Sequence, residues 1–255
     1  MALDYGGRRR FDVGQVFERT FGAIGANGLS LFLVALVLVA LPQAALVWGQ
    51  SELIGGSDLM TAGLLVGFFA FIVSILCNVV MQGVVTHSVV ADLQGRKTSV
   101  GESLTVALRS FWGLLAVGIV SGLAIMLGLI LLVVPGVLIF LIWFVAGPVI
   151  VAERASVWQA LQRSRDLTRN HRWWLLLLAV VYVVLSWVIA AVVGLIGMAV
   201  SGFDASGELT IVTLVFGPVA QAITTLLWGA VVAATYVELR AVKEGGGSTI
   251  AAIFD

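Results

Sequence analysis

Residues 111–152 read FWGLLAVGIVSGLAIMLGLILLVVPGVLIFLIWFVAGPVIVA, and this stretch contains no Asp, Glu, Lys or Arg. It is long enough for two crossings of a bilayer, because one helical crossing needs about 20 apolar residues. Pro135-Gly136 separates the two halves and is typical of a tight reversal. The stretch therefore predicts two adjacent membrane-spanning helices, at 111–134 and 136–153.

The rest of the chain has the same character. Of its 255 residues, 60% are hydrophobic and only 11% are charged, whereas a soluble domain carries roughly 25% charged residues. This composition excludes a water-soluble globular protein, a disordered chain and a nucleic-acid binder with a basic face. Four further apolar runs predict spans at 29–48, 61–92, 173–201 and 209–239. We therefore predict an all-α integral membrane protein with six transmembrane helices.

The basic residues indicate the orientation of these spans. All 14 lie before the first span, in the second-to-third and fourth-to-fifth connections, or after the sixth span. The remaining connections contain no Lys or Arg, and their acidic residues are Glu52, Asp58, Asp204 and Glu208. Because Lys and Arg accumulate in cytoplasmic loops, both termini are predicted to be cytoplasmic.

A short amphipathic segment precedes each odd-numbered span, near 12–25, 100–110 and 156–169. Each contains the pattern Val-x-[Gln/Glu]-x-[Phe/Leu], which starts at Val13, Val100 and Val157. Apolar residues at helical spacing with Arg on the polar side are typical of helices that lie at the membrane interface. We predict three interfacial helices in one polytopic domain, a threefold internal repeat with units at about 11–95, 98–154 and 155–242, and a flexible tail at 243–255.

The even-numbered spans each end in a carboxylate. These three acids and the arginines at similar predicted depth are Asp92, Glu153, Glu238, Arg19, Arg109 and Arg163. An unpaired carboxylate near a membrane is costly, so an ion-pair network is predicted, with Arg163 assigned to Glu153. A proton relay is the alternative interpretation.

Two other polar features favour different functions. Ser74, Asn78, Gln82 and Thr86 follow four-residue steps along the second span and share one helical face. They could line a pathway for a solute, or make hydrogen bonds between helices. A weaker stripe, at Gln221, Thr225 and Trp228, lies in the sixth span.

The densest basic cluster lies before the fifth span. On a continuous helix, Arg165, Arg169 and Arg172 would share one face, and Trp173 and Trp174 follow them. This pattern predicts contacts with the phosphates of anionic lipids. The alternative is that it reflects the ordinary accumulation of cytoplasmic Lys and Arg beside an aromatic belt.

No catalytic constellation is apparent. The two histidines, His87 and His171, share no metal-ligand spacing with each other or with a carboxylate pair, and Cys77 is the single cysteine. We predict no enzyme activity, no cofactor and no metal site; the alternative is an intramembrane enzyme. The Gly118-x-x-x-Gly122 motif allows close helix packing, either within one chain or in a homo-oligomer. The sequence identifies no protein partner.

Residues 135–174 resemble a known family. Pro135-Gly136, a span ending at Glu153, the segment 160–164 (ALQRS) and Trp173-Trp174 are similar to the membrane domain found beside bacterial glycerophosphoryl diester phosphodiesterases, and to related YciC-like inner-membrane proteins. The resemblance implies a polytopic protein of the bacterial inner membrane. In that family catalysis belongs to an attached soluble domain, so the resemblance transfers no catalytic residue.

These observations favour a non-enzymatic membrane protein that organises anionic lipids or partner proteins at the cytoplasmic leaflet. The alternative is a transporter of a small solute or ion that uses the polar faces of the second and sixth spans.

Overall fold

The computed structural model describes residues 11–54, 60–201 and 212–244, and within these ranges the chain is helical with no strand. Two π-helical turns, Leu36–Ala40 and Val212–Phe216, interrupt the α-helices. The α-helices are α1 (Val13–Ala35), α2 (Leu41–Ile54), α3 (Met60–Leu93), α4 (Val100–Arg109), α5 (Phe111–Leu131), α6 (Val133–Ile142), α7 (Ala146–Glu153), α8 (Val157–Thr168), α9 (Arg172–Ser201) and α10 (Gly217–Glu244).

The described residues contain six helical segments that are long and apolar enough to cross a membrane. These segments are Gly28–Val47, Gly67–Leu93, Phe111–Leu131, Val133–Glu153, Arg172–Ala199 and Leu214–Glu244. The predicted fold class is confirmed, and the chain is an all-α, multi-pass membrane protein. The predicted start of the sixth span at 209, the acidic connections around Asp58 and Asp204, and the tail beyond Glu244 lie outside the described residues.

Each intramembrane proline has a helix irregularity one turn before it. A proline lacks the N–H that would bond the carbonyl four residues back, and its ring crowds that carbonyl. The carbonyls in question belong to Leu38 and Leu214, inside the two π-helical turns before Pro42 and Pro218. For Pro148 the carbonyl is that of Phe144, in the break between α6 and α7. The π-helical turns and the break therefore lie where a proline removes a hydrogen bond of the regular α-helix.

The prediction that Pro135-Gly136 makes the reversal between the third and fourth spans is wrong. The chain reverses at Leu132, which has extended backbone angles (φ −165°, ψ 144°), and both residues lie in the first turn of α6. Gly136 instead allows α6 to pack closely on α5, because a Cβ at this position would lie only 2.5 Å from the Leu129 side chain. The glycine is needed for helix contact rather than for the turn.

The short segments differ from one another. Helices α4 and α8 are separate from the spans that follow, but the predicted helix at 12–25 continues without a break in α1 to Ala35. No proline or left-handed residue interrupts α1, whereas Ser110 follows α4 and the left-handed Asn170 (φ 74°) follows α8. The position of these segments at a membrane interface stays a prediction.

Each short segment packs on a helix that ends in an acid. The start of α1 packs on α10, α4 on α3, and α8 on α7, so the first and last helices of the chain meet. The segments also bury equivalent positions, four and eight residues after the N-caps Asp12, Ser99 and Ser156. The fully buried side chains at these positions are Val16, Ser103 and Ala160, followed by Thr20, Ala107 and Ser164. These shared features support the repeat, whose units stay a prediction.

Candidate functional site

The end of α7 is the centre of a polar network. Glu153 Oε1 accepts a hydrogen bond from the Tyr236 hydroxyl of α10 at 2.8 Å and lies 3.3 Å from Arg163 Nε of α8. Arg163 also pairs with Glu244, whose other carboxylate oxygen lies 2.7 Å from Arg240 Nε. The network therefore joins the end of α7, the middle of α8 and the last turns of α10, and Arg163 is the residue shared by both carboxylates.

A second ion pair joins the first and last helices. Arg19 Nη1 of α1 lies 2.5 Å from Glu238 Oε2 of α10, and the Glu238 side chain is only 1% exposed. Burial of a carboxylate is costly unless the charge is paired. This pair therefore links the start of α1 to α10 inside the protein.

The contact between α4 and the end of α3 is built differently from the two ion pairs. At the position equivalent to Arg19 and Arg163, α4 carries Val106. Arg109 is exposed and, with Arg154, lines a cavity of about 270 Å³. Asp92 is half-buried at the end of α3. Two of the predicted pairings are seen between described residues, Arg19 with Glu238 and Arg163 with Glu153.

Sequence reasoning missed the contact that fastens α4 to α3. The Ser103 hydroxyl is fully buried and lies 2.9 Å from Ser88 Oγ and 3.1 Å from His87 Nδ1. A Cβ on Gly83 would lie 2.8 Å from the Ala107 side chain, so the two helices touch closely there. Because Ser103 has no access to solvent, this histidine–serine contact holds α4 in place. The polar residues beside His87 were the signal visible in the sequence, but Ser103, which contacts His87 and Ser88, lies on another helix.

The arginine cluster does not form one helical face, so that prediction is wrong. Helix α8 ends at Thr168, Asn170 adopts the left-handed conformation, and α9 begins at Arg172. The reason is that the backbone at Arg169 (φ −58°, ψ 130°) and Asn170 is not helical, so α8 and α9 are not one continuous helix. Arg165 and Arg169 are exposed, whereas Arg172 is half-buried, and its Nε has no hydrogen-bond partner among the described residues.

Aromatic residues follow this cluster. Trp173 and Trp174 are 83% and 49% exposed in the first turn of α9, which is the span with the least buried surface. His171 packs against the Phe11 ring, with ring centroids 5.7 Å apart. Burial lowers the pKa of His171; the Arg169 carbonyl opposes the shift and Lys243 adds to it.

The polar stripes of α3 and α10 meet at one cavity. Ser74, Asn78 and Gln82 line a space of about 360 Å³ together with Thr225 and Trp228. Within it, Asn78 Nδ2 donates to the Ser74 carbonyl at 2.8 Å, so part of the stripe's hydrogen-bonding capacity is used inside α3.

This cavity does not extend along the whole stripe. Thr86 is buried one turn beyond Gln82, and its Oγ1 has no hydrogen-bond partner in the described part of the chain. A Cβ on Gly229 would lie 3.0 Å from Val85, so α3 and α10 are in close contact there. The neighbouring Val84 and Ala230 are fully buried. The apolar contact therefore closes the cavity towards the acidic helix ends.

No group of three His, Cys, Asp or Glu side chains that could hold a metal ion occurs within the described ranges. A Cβ on Gly118 or Gly122 would have no neighbour within 4 Å among the described residues, so helix packing in this part of the chain does not use the motif. Comparisons with protein-family models, with curated proteins and with solved structures found no match. Function is therefore inferred from the residues themselves.

Proposed function

We propose that the chain is a non-enzymatic protein of a bacterial inner membrane that holds the phosphates of anionic lipids at its cytoplasmic face. The lipid contacts are assigned to Arg165, Arg169 and Arg172. The observation that carries this proposal is the exposure of Arg165 and Arg169 beside the exposed Trp173. Tryptophan at the end of a span marks the level of the lipid headgroups, and each nearby cation contributes about 1 kcal/mol of attraction to an anionic leaflet.

Two other arginines at the predicted cytoplasmic end pair with carboxylates. Arg19 and Arg163 are engaged by carboxylates, which reduces the charge that they offer to a lipid phosphate. Arg165 and Arg169 are exposed: Arg165 lies off the face of α8 that buries Ala160 and Ser164, and Arg169 lies just after the helix ends. Arg19 and Arg163 thus join helices, whereas Arg165 and Arg169 are exposed and available to lipid.

Two further considerations support the proposal. The resemblance of residues 135–174 to a bacterial membrane-domain family favours the inner membrane and a role without catalysis in this domain. The closest arrangement to a nucleophile and base, Ser103 with His87, has its hydroxyl fully buried, where a substrate would not reach it.

Loss of two arginines tests the lipid contacts. The double variant Arg169→Ala, Arg172→Ala should keep its fold and lose a large part of its co-purified anionic lipid, measured by mass spectrometry of the purified protein. The matched control is Arg96→Ala with Lys97→Ala, which removes two exposed cations from the α3–α4 connection. Lipid retention equal to wild type in the first variant would overturn the proposal, and the loss should grow as salt screens the remaining charges.

The orientation is tested by labelling single cysteines. In a Cys77→Ala background, Lys97→Cys should react with a membrane-impermeant maleimide only after the cells are opened. Ser57→Cys, in the acidic connection between the first two spans, should react on intact cells. The reverse pattern would contradict a cytoplasmic location of the arginine cluster.

A second candidate function follows from the cavity between α3 and α10. Its polar lining, Ser74, Asn78 and Gln82 with Thr225, favours a site for a small polar solute. In this case Gln82→Leu would abolish uptake of that solute by cells, whereas Ser121→Ala on α5 would not. The closed contact at Val85 and Gly229 is why lipid binding is our first choice.

A further inference from the structure

The cavity between α4, α5 and the end of α7 has two arginines and no carboxylate among its lining residues. Its lining consists of Val106, Arg109, Ser110, Gly113, Ile150, Arg154 and Ala155. Arg109 and Arg154 both reach it, and no Asp or Glu belongs to the lining. Two arginines that line one small cavity bring like charges to it, so the arrangement favours binding of an anion there.

The backbone at Arg154 points to a role for its side chain. This residue caps α7 in the left-handed conformation (φ 51°, ψ 35°), where glycine would be free of strain. Non-glycine residues held in such a conformation cluster at functional sites. The equivalent positions after Asp92 and Glu238 are Leu93 and Leu239, so the arginine is particular to this junction.

The depth of the cavity suits a lipid headgroup. Gly113 in its lining lies in the first turn of α5, next to Trp112, which is 76% exposed. Trp158, in the first turn of α8, is 68% exposed. An exposed tryptophan at the end of an apolar span, as at Trp112, marks the membrane interface, where lipid phosphates lie. Further along α5 the exposed Ile119 and Leu123 offer an apolar surface for acyl chains.

The size of the cavity restricts the ligand. At about 270 Å³ it is smaller than the ~300–1,000 Å³ of sites for drug-sized molecules. The Ser110 hydroxyl adds a neutral hydrogen-bonding group beside the two guanidinium groups. Arginine matches the oxygens of a phosphate with two parallel hydrogen bonds. The chemistry therefore fits one phosphate group.

We propose that Arg109 and Arg154 form a binding site for the phosphate of a single anionic phospholipid. The site is separate from Arg165, Arg169 and Arg172, and it deepens the proposed function because it supplies one defined headgroup pocket in addition to an exposed cationic surface.

The test measures binding of phosphatidylglycerol to the full-length, delipidated protein in neutral detergent by native mass spectrometry. Arg109→Gln and Arg154→Gly should each weaken binding about tenfold, which corresponds to ~1.4 kcal/mol. Arg154→Gly also relieves the left-handed backbone, so loss of binding cannot be attributed to a damaged fold. Arg96→Gln, the matched control, removes an exposed cation outside the cavity and should leave binding within about twofold of wild type.

Inorganic phosphate distinguishes the source of the ligand. Millimolar inorganic phosphate should not displace phosphatidylglycerol, because the acyl chains also contribute to binding; displacement would overturn the assignment to a lipid. Wild-type binding by both Arg109→Gln and Arg154→Gly would overturn the site itself. If these variants keep the lipid while Arg169→Ala, Arg172→Ala loses it, only the cavity assignment fails. If all of them keep it, the proposed function fails as well.

Discussion

The junction of α1 with α10 and the junction of α8 with α7 use the same pair of residue types in different surroundings. In the first, Arg19 meets a Glu238 side chain that is 1% exposed. In the second, Arg163 and Glu153 have side chains 35% and 24% exposed, and Tyr236 and Glu244 share the contacts. The same Arg–Glu pattern thus gives a buried link in one place and a hydrated network in the other.

The difference comes from α10. This helix supplies Glu238 to the buried link and Tyr236, Arg240 and Glu244 to the network. Its stretch from Gly229 to Tyr236 is buried in the core, and the residues that follow change from buried to solvent-exposed within two turns. Burial, rather than the identity of the partners, should decide how much each contact contributes to stability.

The largest expected effect is that of Arg19→Ala. It removes the ion pair of a carboxylate that has almost no access to water, and breaking a buried pair costs roughly 3 kcal/mol or more. Chemical unfolding in detergent, compared with Arg96→Ala as an exposed control, measures the loss. A cost no greater than that of Arg163→Ala would remove the distinction between the two junctions.

Tyr236→Phe should have the next largest effect. It deletes one buried hydroxyl that donates to Glu153 at 2.8 Å and leaves the ring in place. A hydrogen bond to a charged group contributes about 1.5–3 kcal/mol. The same unfolding experiment measures it, and Tyr182→Phe, whose hydroxyl donates to the Thr224 carbonyl at 3.0 Å, is a control with a neutral acceptor and a smaller expected loss.

Arg163→Ala should cost less, about 1 kcal/mol, because its side chain and that of Glu153 are partly hydrated. High salt should reduce the difference between wild type and this variant, since exposed pairs are screened. The Arg19→Ala difference should change less with salt. An equal salt response in the two variants would show that the junctions do not differ in burial.

The smallest effect concerns pH. Because burial lowers the pKa of His171 below its ordinary value of 6.5, the unfolded chain takes up a proton more readily than the folded one. Stability should therefore decrease as pH falls through about 6.5, and be unaffected by this group well above that value. His171→Phe should lose part of this dependence in thermal melts between neutral pH and about pH 5.5. A variant with an unchanged dependence would exclude His171 as the group responsible.

The sequence predicted the spans well, because long uncharged runs and one-sided basic residues are local properties of the chain. Prediction from the sequence failed where contacts between different helices determine the local structure. Pro135-Gly136 has the composition of a turn, but the reversal is at Leu132 and Gly136 serves contact with Leu129. The break after Thr168 separates arginines that helical spacing would align.

The candidate sites show the same limit. Acidic helix ends and arginines could be recognised from their positions, but their pairing depends on which helices meet. Ser103 gave no sign in the sequence of its contact with His87. The cavity at Arg109 and Arg154 likewise exists only because α4, α5 and α7 come together.

The most direct test of lipid binding uses the unmodified protein. It is placed in nanodiscs with equal amounts of phosphatidylglycerol and phosphatidylcholine and released into the gas phase, and the lipids that remain bound are identified by mass spectrometry. We predict that the retained lipids are enriched several-fold in phosphatidylglycerol, as roughly 1 kcal/mol per nearby cation requires, and that the enrichment decreases at high salt. Retained lipids with the composition of the nanodisc would contradict the account.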